Sequence, residues 1–238
     1  FHSYFLPLKT RLYLEIELWL SKGSSKIIAI SQSQKNELSQ TYKVCPEGHI
    51  EVIPLGFDLS RFQTGQIDKR IDFRQRYKIA DDEIAIGIIG RLVPVKNHHL
   101  FLRALKEVWN TTTQKVRAFV VGDGEERQSL MQLAGELGIP FTTPETQGQQ
   151  TAPLTFTSWI KEVDEVYAGI DIVALSSLNE GTPVSLIEAQ AANKPIVTTN
   201  VGGVCDVVLP NKTALLAAAG NMEQFARQLL KLTENEAL

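Results

Sequence analysis

A chain of 238 residues, 43% hydrophobic and 21% charged, can bury a substantial core as one large α/β domain or as a domain plus a fragment of another. A formal net charge of −3 gives no electrostatic reason for a nucleic-acid partner. Two cysteines, Cys45 and Cys205, form no disulfide framework, so a reducing, cytoplasmic setting is the expectation, and no apolar run is long enough to span a bilayer.

The first twenty residues carry charges throughout and lack the cleavage pattern of a signal peptide. They predict an amphipathic helix from Pro7, with Leu8, Leu12, Ile16 and Trp19 on one stripe. The stripe would pack on the domain or on a neighbour outside this sequence. Lys9 and Arg11 leave open a second use, peripheral contact with the inner face of a membrane.

Short β-branched runs then alternate with helical patterns. Strands are expected at 26–30, 50–53, 83–89, 116–121, 171–175 and 195–199. Helices are expected at 34–42, 97–109, 125–137, 183–192 and 222–232. This alternation predicts right-handed βαβ crossovers and a parallel, Rossmann-like sheet with helices on both faces. Residues 142–155, polar and rich in Thr, Gln and Pro, read as a surface insertion or a mobile loop. The domain expectation is a terminal helix over 1–22 and one α/β domain over 23–238, cut from a larger protein whose amino-terminal domain is missing.

The stretch SSLNEGTPVSLIEAQA (176–191) follows a strand. Thr182 suits a helix N-cap and Pro183 the first helical position, so the first-turn N–H groups of Thr182, Val184 and Ser185 would form an anion site. Gly181 would let a phosphate approach. Glu188 lies roughly 7–8 Å further along the axis than Pro183. Two carboxylates beside an anion site suit a ligand with hydroxyl groups on both sides of a diphosphate, a nucleotide sugar. A second group stands at the end of the strand at 83–89, where Gly90 and Arg91 are followed by Lys96 and Asn97. Ligands bind at the carboxyl ends of parallel strands, and two cations there can neutralise a diphosphate without a metal. Gly122-Asp123-Gly124-Glu125 marks a tight turn with close backbone approach and is not a dinucleotide fingerprint.

GRLVPVKN (90–97), VVGDGEER (120–127), FTSW (156–159), LNEGTPVSLIEAQAANKPIVTTNVGG (178–203) and VIPLGFDLSRF (52–62) resemble, in order and spacing, the carboxyl-terminal donor-binding domain of the family-4 retaining glycosyltransferases of GT-B architecture. Glu180 and Glu188, with seven residues between them, match that family's paired-glutamate motif. The resemblance implies that Arg91 and Lys96 bind the donor diphosphate and stabilise its departing charge. Glu180 would hold donor-sugar hydroxyls and act with these two in catalysis, and Glu188 would hold the ribose. Gly90, Gly122, Asp123, Gly181, Thr182, Pro183 and Val184 would line the phosphate and sugar pocket, with Ser158, Trp159 and Ile160 near the base. This chain has Ser158 where the family often has Gly, and Leu55 where it often has Asn.

The implied reaction is hexosyl transfer with retention from a nucleoside-diphosphate sugar, UDP-linked, to a sugar, lipid-linked or polysaccharide acceptor, with no cofactor and no metal. An epimerase of the same architecture and a non-catalytic binding module are the alternatives. His98 and His99, being adjacent, point in different directions on a helix and are expected on its surface. Cys205 is expected to be a small buried residue.

Overall fold

The computed structural model describes residues 7–146 and 151–234. Helix α1 (Pro7–Gly23) leads into a two-stranded parallel sheet of β1 (Ile27–Ala29) and β2 (Ile50–Val52). These strands have a small core of their own, Ala29, Cys45 and Ile50. Between them the expected helix is a short α-helix, α2 (Gln32–Asn36), running into a π-turn at Glu37–Thr41. Along α1 the predicted stripe is uncovered: Leu8 is 84% and Trp19 73% exposed.

Seven further strands form one parallel sheet: β3 (Glu83–Ile89), β4 (Lys115–Val121), β5 (Phe141–Thr142), β6 (Leu154–Ser158), β7 (Ile172–Leu175), β8 (Ile196–Thr199) and β9 (Ala214–Ala217). Their order is β5-β6-β4-β3-β7-β8-β9. The period-2 alternation of strand side chains divides the core cleanly. Ile86, Ile88, Ala118, Val120, Ile172, Ala174 and Val197 face α4 (His98–Thr111), α5 (Arg127–Glu136) and α9 (Met222–Glu234). On the opposite face Ala85, Phe119, Val121, Val173, Leu175 and Ile196 meet α3 (Gln66–Arg76), α6 (Val163–Gly169), α7 (Val184–Ala191) and α8 (Val204–Val207). A sheet covered on both sides explains why β3, β4 and β7 are apolar almost throughout.

Helix α3 has no apolar stripe; Phe73 and Arg74 are its buried residues. Ion pairs hold it instead: Lys69–Asp164 at 3.0 Å, Arg76–Glu165 at 2.9 Å, and Arg70 and Arg74 on Asp171 at 2.7 and 3.2 Å. Asp171 also accepts the Ala85 N–H at 2.8 Å, so its carboxylate ties α3 to β3. Among the described residues of the polar segment, Phe141–Thr142 pairs with Leu154–Thr155 as an edge of the sheet, and buried Thr142 and Thr155 join hydroxyls at 3.1 Å. Residues 147–150 lie outside the described residues. No helix among the described residues is long and apolar enough to cross a membrane.

Candidate functional site

Chain order places β4 on one side of β3 and β7 on the other. The strand order therefore reverses at β3, and the crevice at its carboxyl end is where a doubly wound sheet receives a ligand. The loops after β3 and β4 interlock there. The Gly90 N–H donates to Val121 O at 2.9 Å and the Leu92 N–H to Asp123 O at 3.0 Å. Gly122, at φ +138°, is what allows this contact: a Cβ on it would lie 1.9 Å from Gly90 O.

From β3 the chain passes exposed Arg91 and a 3₁₀ turn, Pro94–Lys96, before α4. The loop after β7 holds this turn at two levels. The Ser176 hydroxyl lies 3.0 and 2.9 Å from the carbonyls of Lys96 and Asn97, and the Leu178 N–H donates to Val95 O at 2.7 Å. Above this the side chains meet. Lys96 Nζ donates to Glu180 Oε1 at 2.6 Å, and the Ser177 hydroxyl donates to the same oxygen at 2.6 Å. Glu180 keeps 9% of its side chain exposed and Lys96 25%, so the pair sits in the wall of the crevice. Val95, Lys96, Asn179, Glu180 and Gly181 line an open pocket of about 210 Å³.

The Glu180 loop is clamped from behind by the turn after β8. The Gly203 N–H donates to Glu180 O at 3.0 Å, and Gly202 takes φ +48° with room for no side chain, since a Cβ would stand 1.9 Å from Glu180 O. Helix α7 then begins at Val184, with Pro183 (φ −73°, ψ 93°) as its N-cap and no side-chain cap. This corrects the expectation that Thr182 caps and Pro183 opens the helix: the extended ψ of Pro183 delays the first turn by one residue. The open first-turn donors are accordingly those of Val184 and Ser185, while the Leu186 N–H bonds Pro183 O at 3.0 Å.

Glu188 stands four residues into α7, apart from the Lys96–Glu180 pair. Burial pushes its carboxyl above the usual range, opposed by the Tyr167 hydroxyl and the charge of Arg61. Beyond β4, Asp123 accepts the Ser158 hydroxyl at 2.7 Å, the Gly124 N–H at 2.8 Å and Arg127 at 3.3 Å. These partners, Ser158 first, hold it below the ordinary carboxylate range. Ser158 itself sits at φ +61°. That conformation favours glycine, which gives a physical reason for the family's glycine, and here the bond to Asp123 supports a serine instead. Trp159 follows, 61% exposed at the rim, while Ile160 packs against the core beneath α6.

The structure thus brings Lys96, Glu180 and Gly181 into one pocket and gathers Gly90, Gly122, Asp123 and Ser158 beside it. Arg91 has no side-chain hydrogen bond or ion pair among the described residues. Among those residues no three of His, Cys, Asp and Glu cluster as a metal site would require.

The sequence model of the family described as Glycosyl transferases group 1 matches residues 69–238. The chain belongs to that family. A model described as Glycosyltransferase Family 4 matches residues 1–61. The chain is 28% identical over 213 residues to a D-inositol 3-phosphate glycosyltransferase of Segniliparus rotundus, covering 88% of this chain and 44% of that protein. It is also 28% identical over 218 residues to the capsular polysaccharide biosynthesis glycosyltransferase CapM of Staphylococcus aureus, covering 90% and 54%. The chain spans about half the length of these curated relatives. Among solved structures, Anabaena Alr3699/HepE in complex with UDP superposes with a TM-score of 0.81 at 23% identity, over 100% of this chain and 61% of the other. That likeness is one of fold, the Rossmann-like domain of the GT-B architecture.

Two expectations for this chain fail. Cys205 is exposed, its Sγ 3.2 Å from Asn200 Oδ1. His98 is not on the helix surface: it is 1% exposed, and neither ring nitrogen has a hydrogen-bond partner. As the first residue of α4, it turns inward with the leucine stripe that follows. Burial, then the charges of Lys96 and His99, push its pKa down to about 3. Between that value and the unfolded pKa of about 6.5, the unfolded chain binds a proton that the native state refuses, so acid favours unfolding. Denaturant melts should lose about 1.4 kcal/mol per pH unit through this residue as pH falls below about 6. His98→Leu should flatten that slope, and an unchanged slope would refute the assignment. Sequence reasoning also gave no role to Ser176, Ser177, Gly202, Gly203 and Tyr167. The run SSLNEG and the pair Gly202-Gly203 were visible, but the bracing by Ser176, Gly202 and Gly203 depends on contacts between loops distant in sequence.

Proposed function

We propose that this chain is the donor-binding part of a retaining, metal-independent glycosyltransferase that moves a hexosyl group from a UDP-linked sugar to a hydroxyl acceptor. The observation that carries this reading is the contact of Lys96 and Ser177 with one oxygen of Glu180, at the crevice mouth and beside an uncapped helix start. Glu180 has its second oxygen for the hydroxyls of a donor sugar. Lys96, Arg91 and the first-turn amides of α7 face the charge that grows on the diphosphate as the anomeric bond breaks, and such stabilisation needs no metal if the donors are already in place. Glu180 orients the sugar in this scheme and is not assigned as a nucleophile. Glu188 takes the ribose hydroxyls, and the rim at Ser158, Trp159 and Ile160 takes the base.

The UDP complex of the similar Anabaena protein supports the choice of nucleotide. The names of CapM and the inositol phosphate enzymes are compatible with a polysaccharide or phosphorylated acceptor. In this reading acceptor choice belongs to an amino-terminal domain, of which residues 1–22 would be the end. A thermal-shift panel of UDP-, GDP-, ADP- and dTDP-sugars tests the reading. A ligand at 100 times its Kd should stabilise the fold by about 2.7 kcal/mol, so one nucleotide class should raise Tm by several degrees. No rise with any nucleotide at millimolar concentration would overturn the proposal.

A further inference from the structure

Glu180 holds donor-sugar hydroxyls in the reading above, and the present inference rests on that reading. For this task the carboxylate needs one oxygen fixed by the protein and the other turned to the ligand. Its Oε1 accepts two hydrogen bonds, from Lys96 Nζ at 2.6 Å and from the Ser177 hydroxyl at 2.6 Å. The two donors differ in what else they can do. The Lys96 ammonium is a compact charge on a flexible stem with three N–H groups, and a diphosphate in the crevice competes with Glu180 for it. The Ser177 hydroxyl has a single proton, and that proton is given to Glu180.

The main chain at Ser177 is pinned from two directions. Its carbonyl accepts the Thr199 hydroxyl at 2.6 Å. Thr199 is the last residue of β8, buried like Ser177 itself and registered against Ala217 of β9, so this hydrogen bond ties the loop to the sheet. On either side of Ser177, the Ser176 hydroxyl lies 3.0 and 2.9 Å from the carbonyls of Lys96 and Asn97, and the Leu178 N–H donates to Val95 O at 2.7 Å. A serine side chain turns about one carbon–carbon bond, χ1. With its backbone held from β8 and from the turn before α4, its hydroxyl has one place to go.

We propose that Ser177 is a positioning residue that keeps Glu180 aimed at the donor sugar while the diphosphate draws on Lys96, and that Thr199 positions Ser177 in turn. Both are buried behind the crevice wall and act on the donor through Glu180. The assignment divides the site by task. Lys96 is shared between carboxylate and phosphate, whereas the hydroxyl pair from β8 serves the carboxylate alone.

The effect should fall on the sugar and spare the nucleotide. The ratio of the Kd of a sugar-linked nucleoside diphosphate to that of the bare diphosphate isolates what the sugar contributes. Isothermal titration of the full chain with UDP and UDP-glucose, GDP and GDP-mannose, and ADP and ADP-glucose finds the pair that the wild type binds. Glu180→Ala is the reference, since it removes the whole contribution of the carboxylate and should raise the ratio most. Ser177→Ala should raise it about fivefold, the size of one hydrogen bond, with the affinity for the bare diphosphate unchanged. Thr199→Val should raise it in the same direction, and Thr199→Ser, which keeps the hydroxyl, should return it to the wild-type value. In a Glu180→Ala background Ser177→Ala should have no further effect on the ratio. A merely structural role would lower Tm and weaken both ligands together. Melting curves identify any variant that fails to fold, and Thr199→Val keeps the test open if Ser177→Ala does. If the wild type binds no member of these pairs, or if Glu180→Ala leaves the ratio unchanged, the donor-site reading of Glu180 falls and this inference with it. If Glu180→Ala raises the ratio while the folded variants of Ser177 and Thr199 keep the wild-type value, Glu180 stands as the holder of the sugar and the positioning role is overturned.

Discussion

Lys96→Ala in the intact enzyme is expected to lower kcat by about 10²-fold or more, the loss seen when one preformed charge stabiliser is removed from an active site. The reason lies in what Lys96 touches. Its ammonium gives one N–H to Glu180 at 2.6 Å and has two left for the crevice, where a departing diphosphate would gain charge. The mutation removes that charge and also leaves the Glu180 carboxylate, 9% exposed, with only the Ser177 hydroxyl. Some loss of stability should follow, since a carboxylate stripped of its partner is costly when poorly solvated. The two effects separate experimentally. A stability loss alone lowers the Tm and leaves the kcat of the folded fraction intact, whereas loss of transition-state stabilisation lowers kcat at temperatures far below the melt. Arg91 gives the contrast: among the described residues it has no side-chain partner to abandon, so Arg91→Ala should weaken donor binding and turnover with Tm unchanged. Near-normal turnover of Lys96→Ala would remove Lys96 from the mechanism and leave the pair with Glu180 as a structural tie.

The parts of the fold legible in the sequence are those whose burial leaves a mark on composition. β3, β4 and β7 are buried on both faces, and their runs of Ile, Val and Ala announce it. α4 and α9 each bury a leucine-rich stripe at helical spacing. What escaped was held by polar means. α3 is fastened by Lys69, Arg70, Arg74 and Arg76 to carboxylates of α6 and Asp171, and no pattern within QIDKRIDFRQR reveals the partners. β5 and β6 carry threonines whose hydroxyls satisfy one another, so a buried strand reads as a polar loop. His98 misled for the opposite reason: with His99 next to it, it read as one of two polar residues on a helix surface, and the helix turned it inward. At the site, the residue types and their spacing gave Lys96, Glu180 and Glu188. The braces that join the loop after β7 to the turn before α4 and to the turn after β8 were invisible because they are contacts between the ends of different strands, which only the strand order creates.

Gly202→Val should be the most damaging single change near the site, with stability lowered by at least about 3 kcal/mol and nucleotide binding lost in whatever fraction folds. Two costs add. A β-branched residue at φ +48° is held in a left-handed conformation that costs roughly 1–2 kcal/mol for any L side chain and more for valine. Separately, the new Cβ would stand 1.9 Å from Glu180 O, a distance no rotamer relieves, because Cβ is fixed by the backbone. Either the turn after β8 or the Glu180 loop must retreat, and the 3.0 Å bond from the Gly203 N–H to Glu180 O goes with it. Glu180 would then leave the place where Lys96 and Ser177 meet it. Gly181→Ala supplies the control, one residue along the same loop: nothing lies within 4 Å of a Cβ there, so Tm should hold within a degree or two. Any loss of affinity in that variant must come from the methyl group facing the ligand. Urea denaturation and a nucleotide titration of both variants decide the matter. A Gly202→Val protein that melts with the wild type would mean that the turn after β8 is free to move, and that it does not set the position of Glu180.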